Sequence, residues 1–109
     1  EGNYLESSAT ALFIYTLAKA VNKGYISKDY IEPTRKAFDG MVKTFTRLEE
    51  DGSYTITNCC AVAGLGGDSK RYRDGSFEYY ISEPVIENDP KSVGSFILAA
   101  IEYEKMTDK

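Results

Sequence analysis

Three stretches of the chain place apolar residues at the three- and four-residue spacing that gives a helix one apolar face. In the first, Ala9, Leu12, Phe13, Leu17, Ala18 and Val21 share that face. Ser7 or Ser8 supplies the cap for the free N–H groups of its first turn. Gly24 supplies the stop, with Lys19 and Lys23 beside the negative end of the helix dipole. In the second, Ala37, Phe38, Met41, Val42, Phe45 and Leu48 recur in the same way. Proline inside a helix removes a hydrogen bond and clashes with the preceding turn. A short turn over 27–32 is therefore expected, then a helix with Pro33 at its first position, ending near Leu48. The third stretch begins at Asn88-Asp89-Pro90, a cap followed by proline in the first turn. It turns Val93, Phe96, Ile97, Ala100 and Ile101 toward the core and frays toward Met106.

The connection over 49–89 is far longer than the roughly 2–8 residues that usually join helices, and long connections tend to be functional or disordered. Phe77, Tyr79, Tyr80, Ile81, Val85 and Ile86 give it too much apolar weight for disorder. Asp51-Gly52 marks a turn before a short strand over 54–57, and Asp74-Gly75 a second turn before an edge-type strand over 77–82. Gly64-Leu65-Gly66-Gly67 lacks the lysine-serine ending of a phosphate-cradling loop and reads as a tight turn.

Helices joined in this order alternate in direction. The start of the first, the end of the second, the start of the third and the whole long connection then lie at one end. Glu6, Ser7 and Ser8 sit there, and helix N-termini suit a carboxylate ligand. Arg71 and Arg73 add a possible bidentate clamp, and Tyr72, Phe77, Tyr79 and Tyr80 are rings of the kind that stack on sugar faces. An acidic sugar is a sensible ligand for such an end. Each residue also has a plainer role: Ser7 and Ser8 as caps, Glu6 as a dipole partner, Arg73 and Asp74 as partners of each other or of neighbouring backbone. Glu78, Glu83 and Glu87 are carboxylates of the kind a glycosidase pairs, although spacing alone does not bring two of them together.

Composition narrows the classes. With 109 residues one domain at most is expected. A net charge of −4 argues against a nucleic-acid partner, and no run approaches a membrane span. There is no histidine, so histidine acid–base chemistry is excluded within this chain. Adjacent Cys59 and Cys60 are poorly placed to bridge each other and read as free thiols, leaning toward a reducing compartment. A transition-metal site of the usual kinds is improbable.

Several motifs, in order, carry a resemblance. Asn3-Tyr4-Leu5-Glu6-Ser7-Ser8-Ala9-Thr10-Ala11, Ala63-Gly64-Leu65-Gly66, Tyr72-Arg73-Asp74-Gly75-Ser76-Phe77-Glu78-Tyr79-Tyr80, Ser82-Glu83-Pro84-Val85 and Asn88-Asp89 resemble the unsaturated rhamnogalacturonyl and glucuronyl hydrolases of glycoside hydrolase families 105 and 88. The resemblance implies an all-α fold, part of an (α/α)6 toroid, with about three long helices plus a short β-hairpin and loop elaboration. Residues 1–109 would be a C-terminal segment of that domain, an incomplete toroid completed by its remainder or by other copies of the chain. It also implies removal of a 4,5-unsaturated uronic acid from the non-reducing end of pectin-type oligosaccharides, by hydration of the double bond without a cofactor. The family's catalytic aspartate has no matching position here, so this chain alone is expected to be inactive. Glu6, Ser7, Ser8, Arg73, Asp74, Tyr79 and Glu83 would contribute the rim of the pocket. A stand-alone carbohydrate-binding or oligomerising module is the alternative. The setting would be a bacterial cytoplasm or periplasm, the former slightly favoured, with no nucleic-acid or membrane partner.

Overall fold

Helix α1 spans Ser7–Asn22 and helix α2 Ile31–Phe45, with a 3-10 turn, Lys28–Tyr30, between them. Strands β1 (Thr46–Leu48), β2 (Tyr54–Ile56) and β3 (Cys59–Cys60) follow, then helix α3 (Phe77–Ser82), strand β4 (Val85–Ile86) and helix α4 (Pro90–Thr107). This computed structural model describes residues 1–68 and 70–107.

The three long helices are present, and their directions follow from their contacts. Ser7 meets Ser92 at the starts of α1 and α4, and Asn22 reaches Glu102 toward their ends, so the two run parallel. Helix α2 runs the other way, with Phe38 stacked on Tyr103 at 3.9 Å between ring centroids and Val42 close to Phe96. The start of α1, the end of α2 and the start of α4 therefore share one end.

The buried faces differ from the expected ones. In α1 the buried residues are Ser7, Ala11, Ile14 and Ala18, and in α4 Ser92, Ser95, Ala99 and Met106. Small side chains on facing sides let two backbones approach closely and exclude water without large apolar groups. Leu12 and Phe13, expected in the core, are exposed, as are Ile97 and Ile101. The core that does form joins Ala11, Ile14, Met41, Phe45 and Ala99, with Tyr15, Ala37, Phe38 and Phe96 packed around it.

Element ends also shift. Glu6, rather than Ser7 or Ser8, caps α1, because its longer carboxylate reaches the N–H groups of Ser8 and Ala9. Helix α2 starts at Ile31 and ends at Phe45. Pro33 is then its third residue, where N–H groups still lack a helical partner. The backbone turns extended at Thr46 and pairs antiparallel with β2, Thr46 opposite Ile56. The expected strand over 54–57 is thus real, but the one over 77–82 is a short helix. Ser76 Oγ accepts from Tyr79 N at 3.0 Å and starts it. A second small sheet pairs Cys59 with Ile86 and Cys60 with Val85.

Candidate functional site

Two asparagines in the left-handed region organise the shared end. Asn58, at φ 58°, presents its carbonyl to Ser7 N at 2.9 Å. Asn88, at φ 51°, donates its N–H to Ile56 O at 2.8 Å and accepts from Ile56 N through Oδ1 at 2.9 Å. Asparagine tolerates this conformation better than most residues because its short side chain can hydrogen-bond locally. Together they fasten the hairpin region to the starts of α1 and α4.

Glu6 is the centre of a donor network. Its Oε2 accepts from Ala9 N at 2.7 Å. Its Oε1 accepts from Ser8 N, Ser8 Oγ and Cys60 N at 3.1, 2.7 and 3.1 Å. Partial burial raises the carboxyl pKa, but these hydrogen bonds outweigh it and hold Glu6 below its ordinary value. It is therefore ionised and already supplied with donors.

At the start of α4, Asp89 Oδ1 accepts from Lys91 N and from Lys91 Nζ at 2.9 and 2.7 Å. Lys91 Nζ also donates to Ala61 O at 3.0 Å. An open cavity of about 310 Å³ lies here, lined by Glu6, Ser8, Cys60, Ala63, Tyr80 and Lys91 among others. Tyr80 is backed by Tyr4, whose ring stacks on it at 5.7 Å. Burial pushes the Tyr4 phenol up, so it stays neutral.

The seven candidate residues divide into three groups. Glu6 and Ser8 line the cavity. Ser7 lies beneath it, fully buried, with Oγ 2.6 Å from Ser92 Oγ. Arg73, Asp74, Tyr79 and Glu83 belong to the loop that supplies the wall. Tyr79 Oη accepts from Gly64 N at 3.3 Å. Asp74 Oδ1 accepts from Ser76 N at 2.8 Å, closing the turn into α3, and has no ion pair with Arg73 among the described residues. Glu83 is buried and meets Arg71 at 2.6 Å. The arginine foreseen as a clamp for a ligand carboxylate thus holds the chain's own. Glu87 is held elsewhere by Arg47, at 2.9 and 3.0 Å.

Lys91 was not among the residues singled out from sequence. Its signal was its place directly after Asp89-Pro90, on a helix start at the same end as Glu6. The cavity combines Lys91, paired with Asp89, with the ionised Glu6, the Ser8 hydroxyl and the face of Tyr80, a polar rim beside an aromatic surface of the kind that binds a sugar ring. Among the described residues, no cluster of histidine, cysteine, aspartate or glutamate is placed to hold a metal ion.

Two parallel helices backed by an antiparallel third, with a cavity at the starts of the parallel pair, are the part of an (α/α)6 toroid that the similarity to solved enzymes below defines. The family model described as Glycosyl Hydrolase Family 88 matches residues 1–107, and the chain belongs to that family. It is 39% identical over 105 residues to Protein Atu3128 of Agrobacterium fabrum, covering 93% of this chain and 45% of that protein. The 24.9 kDa protein in the picA locus of Rhizobium radiobacter matches over the same extent. Among solved structures, a family 105 glycoside hydrolase of C. acetobutylicum superposes with a TM-score of 0.92 at 44% identity, over 95% of this chain and 28% of that one. A possible family 105 member from Klebsiella pneumoniae superposes with a TM-score of 0.70 at 27% identity, over 96% and 23%. The chain thus spans less than half the length of these relatives.

Proposed function

We propose that this chain serves in a glycoside hydrolase that removes a 4,5-unsaturated uronic acid from the non-reducing end of rhamnogalacturonan-type oligosaccharides. The observation that carries the reading is the cavity where Lys91, Ser8 and Tyr80 meet at the starts of α1 and α4. Lys91, shared with Asp89, offers a further N–H toward the uronate carboxylate, Ser8 Oγ, which donates to Glu6, can accept from a sugar hydroxyl, and Tyr80 gives a face for the flat, unsaturated ring.

The reaction is a hydration. A proton adds to C4 of the double bond and water adds to C5, giving a hemiketal that opens and releases the uronic acid. Glu6 is a poor source of that proton, since it is ionised and held by four donors. This chain's share in the reaction is to bind and orient the sugar. The aspartate that the family's chemistry uses lies outside the residues present.

The test is turnover by the protein expressed from its whole coding sequence. Lyase-generated unsaturated oligosaccharides are compared with their saturated counterparts, following loss of the absorbance of the conjugated double bond. Turnover confined to the unsaturated substrates is expected. Lys91→Met is expected to raise KM about tenfold, the scale of one charge-assisted contact. Equal cleavage of saturated substrates, or no cleavage of any unsaturated uronide, sinks the reading.

A further inference from the structure

The loop wall of the cavity is held by a carboxylate that the ligand chemistry above does not use. Glu83 follows α3, with its N–H donating to Tyr80 O at 3.2 Å, and the residue is 3% exposed. Its Oε2 accepts from Arg71 Nη2 at 2.6 Å, while Oε1 faces Arg73 Nε at 3.9 Å. Among the described residues, neither Oε1 nor that Nε has a hydrogen-bond partner. A buried carboxylate paired with a largely exposed arginine adds little net stability, because desolvating the carboxylate offsets much of the attraction. Its effect lies in what it fixes.

What it fixes is the path of the chain around Arg73. The Arg73 backbone exchanges two hydrogen bonds with Gly66, at 2.8 and 2.9 Å. Its guanidinium lies against Gly64, with Nη1 only 3.5 Å from where a Cβ would stand. Gly64 N in turn donates to Tyr79 Oη at 3.3 Å. Ala63 and Tyr80, the chain neighbours of these two residues, line the cavity. The carboxylate therefore holds one limb of the loop, through Arg71 with Arg73 beside it, to the helix that presents Tyr80, and the Arg73–Gly66 backbone pair joins that limb to the other.

We propose that Glu83 is a positioning residue for sugar binding. Through Arg71 and Arg73 it fixes the 63–66 segment and Tyr80 at the separation from Lys91 and Ser8 that the sugar ring requires. The inference rests on the reading of this cavity as the uronide site, and Glu83 itself does not meet the ligand.

The test uses the protein expressed from its whole coding sequence, carrying Glu83→Gln or, as a second variant, Arg71→Lys. The Arg71 side chain is 62% exposed, so its replacement does not open the interior. Steady-state kinetics on an unsaturated rhamnogalacturonan disaccharide are paired with hydrogen exchange at amides 62–66. With Glu83→Gln, KM is expected to rise about tenfold and kcat to stay within about twofold, with a smaller rise for Arg71→Lys. Exchange at 62–66 is expected to accelerate while the amides of α1 and α4 stay protected. A merely structural role would lower kcat at constant KM and loosen α1 and α4 as well, and that result overturns the proposal. So does unchanged exchange at 62–66, or unchanged KM in both variants. If the parent protein turns over no unsaturated uronide, the reading of the site fails. The exchange data then still decide whether Glu83 holds the wall, which keeps the two failures apart.

Discussion

At the scale of single residues, the shared end depends on polar groups that satisfy one another. Ser7 and Ser92 are both fully buried and hydrogen-bond to each other at 2.6 Å. Removing one hydroxyl strands the other, whereas removing both leaves no unpaired group. Ser92→Ala is therefore expected to cost about 1–2 kcal/mol, and Ser7→Ala/Ser92→Ala less than the sum of the two single changes. A double-mutant cycle from urea unfolding measures this coupling, and strict additivity refutes it. Glu6 makes a second case. Its folded pKa is depressed, so its contribution to stability is present above the ordinary carboxylate value of 4.5 and lost as pH falls through the folded value. Glu6→Gln is expected to cost about 1 kcal/mol at neutral pH and to flatten the stability profile below pH 4.5. An unflattened acid limb in that variant means that other carboxylates set it. In the sequence Ser7 and Ser8 looked like the caps because serine is the commoner choice. Only the fold shows Ser7 turned inward onto Ser92 and Glu6 reaching back over the first turn, since the partner lies 85 residues away.

At the scale of elements, the three long helices were legible because each keeps its period for several turns. The segment over 77–82 was not. Phe77, Tyr79 and Ile81 alternate with Glu78, Tyr80 and Ser82, which fits a strand, and six residues are too few for a helical period to oppose it. What decides is local: Asp74 closes a turn onto Ser76 N, and Ser76 caps the helix. The pairing of β3 with β4 was equally hidden, since two-residue strands carry no period and their partner is distant. The joint most exposed to test is Asn88, which combines a positive φ of 51° with two hydrogen bonds to Ile56. Asn88→Ala loses the side-chain acceptor and forces alanine into the left-handed region, at an expected cost of about 2 kcal/mol. Asn88→Gly loses only the acceptor and is expected to recover about half of that. Thermal melts of the two variants give the order. If glycine is no better than alanine, backbone strain is not part of the cost.

At the scale of the whole chain, the outline is open. The radius of gyration is 16.1 Å, against about 13 Å for a compact domain of this length. The accessible surface is 7302 Å², against about 6,000 Å² for a folded monomer of this mass. Much of the surplus is apolar. Phe13 is 70% exposed and Ile97 54%, and a groove of about 490 Å³ runs past Phe38, Phe96, Ile97, Ile101 and Tyr103. The same periodicity that located the helices from sequence assigned Phe13, Ile97 and Ile101 to the chain's own core, where they do not lie. Their spacing records that a face is covered, without saying by which segment. Small residues between α1 and α4 took the interior instead, and the larger ones face outward. In a family whose relatives extend well beyond this length, we propose that the rest of a toroid closes on these exposed apolar side chains. The two readings of the chain then separate on one substitution. If the face is covered, Ile97→Asp in the protein expressed from its whole coding sequence buries a charge where an aliphatic side chain stood. It should lower stability by at least about 2 kcal/mol, a shift of several degrees in Tm. If the chain is a self-sufficient module, Ile97 is a surface residue, and the same change stays within about 0.5 kcal/mol. A neutral result would also remove the shape argument for a toroid-borne active site. Lys91 and Tyr80 would then belong to a shallow binding surface on an independent domain.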